Sequence, residues 1–373
     1  MTMPIRRLAP RLTLAGLTIA ALSGPLVPAA SAAAPRLSAR AVQSGLVHPW
    51  DVAFAPNGRM YVTERPGRIQ VFRSGAVGAA RLRTFTVPNV RAEGEAGLMG
   101  IALHPSFASN GFLYVCASRM DEGEWRNQVL RYRVSGTTFT FSRFIVRRGM
   151  RAGNVHNGCR IRFGPDGKLY VTMGDAGTGS RAQDPASLNG KVLRLNANGS
   201  IPSDNPIMPG ATQRTAVFSM GHRNPQGIAF HPTTNRRYLT EHGPDVNDEI
   251  NMIISRGNYG WPNVTGSDGP GVGFRDPAWA SGSSTIAISG AAFTRTANWS
   301  SFRNQLFAVT LKDQDLRRYS ISRDGRTAVQ RAIYFDERWG RLRGITVGPG
   351  GLLYLTTSNG SNDRIIRVRP VQP

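Results

Sequence analysis

Apolar and polar positions alternate along this chain in short runs, and no long stretch keeps the 3.6-residue period of an amphipathic helix. One template recurs instead: a short apolar strand, a turn rich in Pro, Gly and Asn, and a second strand carrying Tyr or Leu. It occupies residues 50–64 (WDVAFAPNGRMYVTE), 98–118, 159–175, 226–243 and 342–360, with a fainter copy of longer turn at 288–314. The copies start roughly 50 to 65 residues apart, the span of a propeller blade and longer than most solenoid repeats. A two-stranded hairpin is marginal alone, so each needs further strands. The alternating runs 68–73, 128–134, 191–196, 315–321 and 364–370 supply them. The pattern predicts an all-β fold, a six-bladed β-propeller of four-stranded antiparallel blades. The apolar spacing of 247–255 predicts one short helical turn.

The N-terminus departs from the template. Arg6, Arg7 and Arg11 precede an apolar run from Leu12 to Leu22, and Ala30-Ser31-Ala32 offers the small-x-small pattern of a signal-peptidase site. The run is too short to span a bilayer, which needs about 20 apolar residues. Residues 1–32 are therefore expected to be a cleaved signal peptide, residues 33–41 a linker, and residues 42–373 the propeller, exported from a bacterial cell by a general or twin-arginine route. In such an oxidising compartment Cys116 and Cys159, the two cysteines, are expected to form a disulfide; the alternative is two small buried hydrophobes.

A formal charge of +23 first suggests nucleic acid. The basic residues are almost all arginine, however, with Lys168, Lys191 and Lys312 the only lysines, and they are scattered instead of forming a stripe with interleaved aromatics. Nucleic acid is not expected as a partner.

The polar exceptions to the template fall at hairpin ends: Glu95, His156, Arg223, Asn224, His242, Lys312, Arg341 and Arg343. His156 lies in HNGCR (156–160), where an imidazole could act as general base or simply close a loop. Lys312, Arg341, Arg343 and Arg223 come from separate repeats and, in a closed ring, could converge on one anionic ligand. Asp245, Asp248 and Glu249 beside the Gly243-Pro244 turn offer hard oxygens and carbonyls of the kind Ca²⁺ prefers, or form a solvated acidic turn.

GHRNPQG (221–227), EHGPDVNDEIN (241–251), GNYGWP (257–262), the HNGCR segment and Leu311-Lys312 together resemble the soluble sugar dehydrogenases that depend on pyrroloquinoline quinone (PQQ), the glucose/sorbosone dehydrogenase family. The resemblance spans about residues 42 to 370 and implies the same six-bladed fold. It implies that His156 is the base for the sugar's anomeric hydroxyl while hydride passes to PQQ, and that Arg223 polarises the quinone oxygen. It also implies that Asn224 and His242 contact the cofactor and that Lys312, Arg341 and Arg343 hold its carboxylates. The Gly243 and Pro244 carbonyls would bind the Ca²⁺ that accompanies PQQ, and Glu249 and Tyr259 a second, structural Ca²⁺.

Four positions depart from the best-known glucose enzyme of that family: Glu95 and His242 stand in place of glutamines, Val155 in place of an acid beside the base, and Ser358 in place of an aspartate. Apart from His242, they leave the cofactor residues intact and fall on the sugar side. The expected activity is oxidation of an aldose to its lactone, with Glu95 near the substrate and electrons passed to a diffusible acceptor. The alternatives are a non-catalytic binding propeller of the same family and a Ca²⁺-dependent lactonase or hydrolase.

Overall fold

The computed structural model describes Met1, residues 36–268 and residues 273–371. The signal-peptide reading lies outside these residues. Six sheets make up the described chain, five of four strands and one of five. Each is an antiparallel blade; the extra strand of the third blade, Gly257–Asn258, joins in parallel to Val217–Met220.

Blade 1 runs Pro49–Phe54, Met60–Glu64, Arg68–Phe72 and Arg81–Thr86. The inner strands of blades 2 to 6 are Leu98–Leu103, Ile161–Phe163, Asn224–Phe230, Ile288–Phe293 and Leu342–Val347. Each inner strand packs on the next around a closed ring, and that of blade 6 returns to Pro49–Phe54. Such a six-bladed propeller is what the hairpin repeat predicts.

Strands sandwiched between neighbouring blades bury both faces, so their sequences are nearly continuous in apolar residues. Six apolar clusters result, one in each gap between blades. Between blades 3 and 4, for example, Tyr170, Val192 and Phe218 meet Ile228, Leu239 and Ile253.

The ring closes through the N-terminal strand Arg36–Leu46, which pairs antiparallel with the last strand, Asp363–Val371, as the outer edge of blade 6. The linker expected at 33–41 therefore begins its strand at Arg36. Leu37, Ala39 and Ala41 alternate onto the core between blades 5 and 6, which accounts for the pairing. The helical turn expected at 247–255 is also corrected: Glu249–Ile253 is a strand, since Ile250 and Ile253 are buried between blades.

The ring's centre is filled by Arg160. Its guanidinium lies 2.9 Å from Asp51 and 3.9 Å above the Trp50 ring, and its Nε donates to the Gln226 carbonyl at 2.9 Å. Asp51 also takes two bonds from Arg162, at 2.6 and 2.8 Å, so one carboxylate ties blade 1 to two arginines of blade 3.

Candidate active site

In an antiparallel hairpin the start of the first strand and the end of the second share one end, so residues at these places in successive blades gather at one mouth of the ring. Asn224 opens the inner strand of blade 4 opposite His242. Glu95 and His156 precede the inner strands of blades 2 and 3, Lys312 follows the second strand of blade 5, and Arg343 lies in the inner strand of blade 6 just after Arg341. The sequence-predicted residues thus lie on five blades at equivalent places.

His156 has a left-handed backbone (φ 55°). Its N–H donates to Glu95 Oε2 at 2.8 Å, and its ring Nδ1 lies 2.7 Å from Asp175 Oδ1. Asp175 is itself fixed: it accepts the Gly177 N–H at 2.7 Å and the Trp261 indole N–H at 2.8 Å. A carboxylate on Nδ1 holds the ring proton there and leaves Nε2 as the free lone pair, the tautomer a base requires. The His156 side chain is 15% exposed and that of Asp175 2%, so the dyad opens at its imidazole end only.

Close backbone packing holds this loop. A Cβ on Gly174 would lie 2.0 Å from the His156 carbonyl, so a side chain there would displace His156. Cys159, three residues on, is disulfide-bonded to Cys116, which staples the loop to blade 2.

A chain of hydrogen bonds links the His156 loop to Arg343. Glu95 Oε2 accepts from Asn224 Nδ2 at 3.3 Å, Asn224 Oδ1 from Gln226 Nε2 at 2.8 Å, and Gln226 Oε1 from Arg343 Nη1 at 3.1 Å. Arg223 donates its N–H to Glu241 and its Nη1 to the Gly243 carbonyl at 2.7 Å, with its guanidinium 5.3 Å from the Trp261 ring centre. Glu241 in turn meets His222 Nδ1 at 2.8 Å.

Arg223 Nε, Arg343 Nε and His242 Nε2 are buried without a hydrogen-bond partner. Buried polar groups are almost always paired, so three orphans at one mouth mark a place shaped for a polar ligand. Burial pushes the Arg343 guanidinium down to about 10. Burial, then the nearby Arg343 and Arg223, hold the His242 imidazole well below its usual range against the pull of Glu95, so it is neutral at pH 7. Lys312 and Arg341 are exposed.

The metal candidates divide. Gly243 donates its N–H to Asp248 at 2.9 Å in a turn so tight that a Cβ would lie 1.9 Å from the Val246 carbonyl; Pro244 beside it is half-buried. Asp248, considered above as a metal ligand, is fully engaged by the N–H groups of Gly243, Ile286 and Ile288 and the Thr285 hydroxyl. It braces blade 4 against blade 5, and Asp245 is exposed.

Glu249 is buried opposite Glu241 on the neighbouring strand; burial first, then Glu241, raises its carboxyl well above the usual range. The Tyr259 hydroxyl donates to the Met252 carbonyl at 2.6 Å and accepts the Ile254 N–H at 3.1 Å, so the phenol is already engaged and its backbone carbonyl is the group left for a metal. Among the described residues no group of three His, Cys, Asp or Glu side chains is placed to hold an ion.

Asp175, Trp261, Gln226 and Glu241 are site residues that sequence reasoning did not single out. Of the departures noted above, Val155 is exposed beside the base, and Ser358 donates its N–H to the Arg341 carbonyl at 2.8 Å.

The described mouth sets the His156–Asp175 imidazole–carboxylate dyad near the buried guanidinium groups of Arg223 and Arg343. Residues 46–367 match the Glucose / Sorbosone dehydrogenase family, and the chain belongs to that family of sugar dehydrogenases. It is 34% identical to the aldose sugar dehydrogenase YliI of Escherichia coli over 357 residues, 91% of this chain and 94% of that one. The PQQ-bound aldose sugar dehydrogenase of Streptomyces coelicolor aligns with 91% of this chain and 100% of its own (TM-score 0.77, 32% identity). A structure described as a putative oxidoreductase (glucose dehydrogenase) from Thermus thermophilus aligns with 89% of this chain and 100% of its own (TM-score 0.80, 38% identity). Among the described residues no helix is long and apolar enough to cross a membrane.

Proposed function

We propose that this protein is an exported PQQ- and Ca²⁺-dependent dehydrogenase that oxidises the anomeric hydroxyl of an aldose to the lactone and passes electrons to a diffusible acceptor. The observation that carries the reading is the His156–Asp175 contact at 2.7 Å, across the mouth from buried guanidinium nitrogens that lack partners. A carbohydrate-binding module has no use for an oriented base, and a lactonase has none for a polycarboxylate cradle.

The residues fit a polycarboxylate cofactor. Arg343 and Arg223 present unpartnered buried Nε atoms, Asn224 is fixed at their side by Gln226, and the exposed Lys312 and Arg341 add charge at the rim. When bound, PQQ supplies the two-electron acceptor for the hydride leaving the anomeric carbon. His156 Nε2 takes the proton of the anomeric hydroxyl, and Asp175 stabilises the imidazolium that forms. Glu95 holds the base loop through the His156 N–H and faces the sugar side. Trp261 covers the Arg223 guanidinium and locks Asp175, which limits water at the dyad.

The calcium part rests on donor chemistry. The Gly243 and Pro244 carbonyls are hard oxygens, the Gly243 one already turned toward Arg223. Near them a cavity of about 10 Å³ is bordered by Glu241 and Glu249. The Asn251 Oδ1, on the residue whose amide donates to Glu249, is buried without a partner. A cation there would offset two facing carboxylates.

The test is steady-state dye reduction by purified protein supplied with PQQ and Ca²⁺, across a panel of aldoses and matched lactones. Aldose-dependent reduction supports the reading; lactone hydrolysis without reduction would replace it with the hydrolase.

A further inference from the structure

The strand that closes the ring brings together arginines that are far apart in sequence. Arg36–Leu46 pairs with Asp363–Val371 so that Arg40 lies directly opposite Arg367 and Ser38 opposite Arg369. Side chains alternate between faces, and Ala39 and Val368 take the buried side, so Arg36, Arg40, Arg367 and Arg369 share the other. Arg36, Arg40 and Arg369 are exposed, and Arg367 is half-buried beside Tyr354.

Like charges directly opposite across strands oppose pairing. Among the described residues no carboxylate lines the cleft these side chains form, about 200 Å³ and bordered by Ser38, Arg40, Arg367 and Arg369. No acidic residue precedes Asp51 in the sequence and none follows Asp363. Guanidinium groups held this way present a row of forks matched to carboxylate or sulfate groups on a chain.

The surroundings select among polyanions. Tyr354, the ring next to Arg367, is 3% exposed, so no aromatic face is available for a base to stack on. The cleft itself is lined by serine and arginine alone, with Val371 the one exposed apolar residue beside it, too little to enter a lipid surface. We propose that this face of blade 6 is a docking site for an acidic polysaccharide, separate from the mouth where His156 lies. It would hold the protein on an acidic glycan while leaving the mouth open.

The test uses the full-length purified protein, with heparin and polygalacturonate as probes and affinity measured by fluorescence anisotropy over a salt series. The variant Arg40→Gln/Arg367→Gln/Arg369→Gln should bind both at least tenfold more weakly and lower the dependence of log affinity on log salt by about three. The control Arg83→Gln/Arg143→Gln/Arg323→Gln, equal in charge and exposed elsewhere, should stay within twofold of wild type. A single Arg40→Glu change, placing a carboxylate opposite Arg367, should weaken binding while keeping or raising Tm. Equal losses in the two triple variants would show that net charge alone binds the glycan and would overturn the site. Tighter binding to single-stranded DNA or phosphatidylglycerol vesicles than to either glycan would overturn the partner class.

Discussion

The ring of His156 is oriented by Asp175, whose Oδ1 lies 2.7 Å from Nδ1 while its Oδ2 holds the Trp261 indole. Asp175→Asn keeps the size of the side chain but lets an amide donor face Nδ1 and favours the wrong tautomer. Turnover should fall by about 10² to 10⁴-fold with the fold intact, as losses of a base-orienting carboxylate do. Stopped-flow dye reduction alongside circular dichroism checks this; unchanged turnover would remove Asp175 from that role.

His156→Ala removes the base without touching the cradle. Cofactor affinity should remain within a few-fold of wild type while kcat falls by about 10² to 10⁴-fold. A parallel loss of cofactor affinity, measured by calorimetry, would mean that the imidazole serves binding and not proton transfer.

The cations should differ in weight. Arg343 is buried, bonded to Gln226 and carries an unpartnered Nε, whereas Lys312 is exposed to solvent. Arg343→Gln should weaken PQQ binding by about 10²-fold or more, and Lys312→Ala by about tenfold or less, because screened surface charges contribute little. The Lys312 contribution should also shrink at high salt. Equal effects of the two changes would contradict the buried cradle.

Asp51 gives a pH prediction for stability. Its burial opposes ionisation, but Arg160 and Arg162 more than offset this and hold its pKa below the ordinary 3.8. A depressed carboxyl stabilises the native state above its unfolded pKa, and that contribution is lost as pH falls through the lower native value. Asp51→Asn should therefore destabilise by about 3 kcal/mol near neutrality, leaving the Arg160 charge uncompensated. The Tm gap between wild type and variant should narrow below about pH 4. A gap that stays constant down to pH 3 would contradict the linkage.

These residues also show what was legible beforehand. The blades were, because each hairpin is local: turns such as Pro56-Asn57-Gly58 and Pro165-Asp166-Gly167 separate apolar strands that pair with their immediate neighbours. The closing strand was not, because Leu37, Ala39 and Ala41 find their partners more than 300 residues away. The same separation hid the juxtaposition of Arg40 and Arg367.

Asp175 escaped notice because an acid in a Gly-rich loop looks like any solvated turn. A signal was present: it lies at the end of the second strand of its hairpin, as do His242, the last residue of that strand in blade 4, and Lys312, two residues past it in blade 5. Asp248 misled for the opposite reason. An acid next to a Gly-Pro turn suggests a metal, and only the fold shows its oxygens taken up by N–H groups of the next blade.

The most direct measurement is a calorimetric titration of PQQ into the purified protein in Ca²⁺ buffer, for wild type and Arg343→Gln. The expected result is saturable binding of one PQQ per chain that chelation of Ca²⁺ weakens and the variant largely loses. Absence of saturable binding by wild type, or binding indifferent to the loss of Arg343, would contradict the assignment of this propeller mouth as a PQQ site.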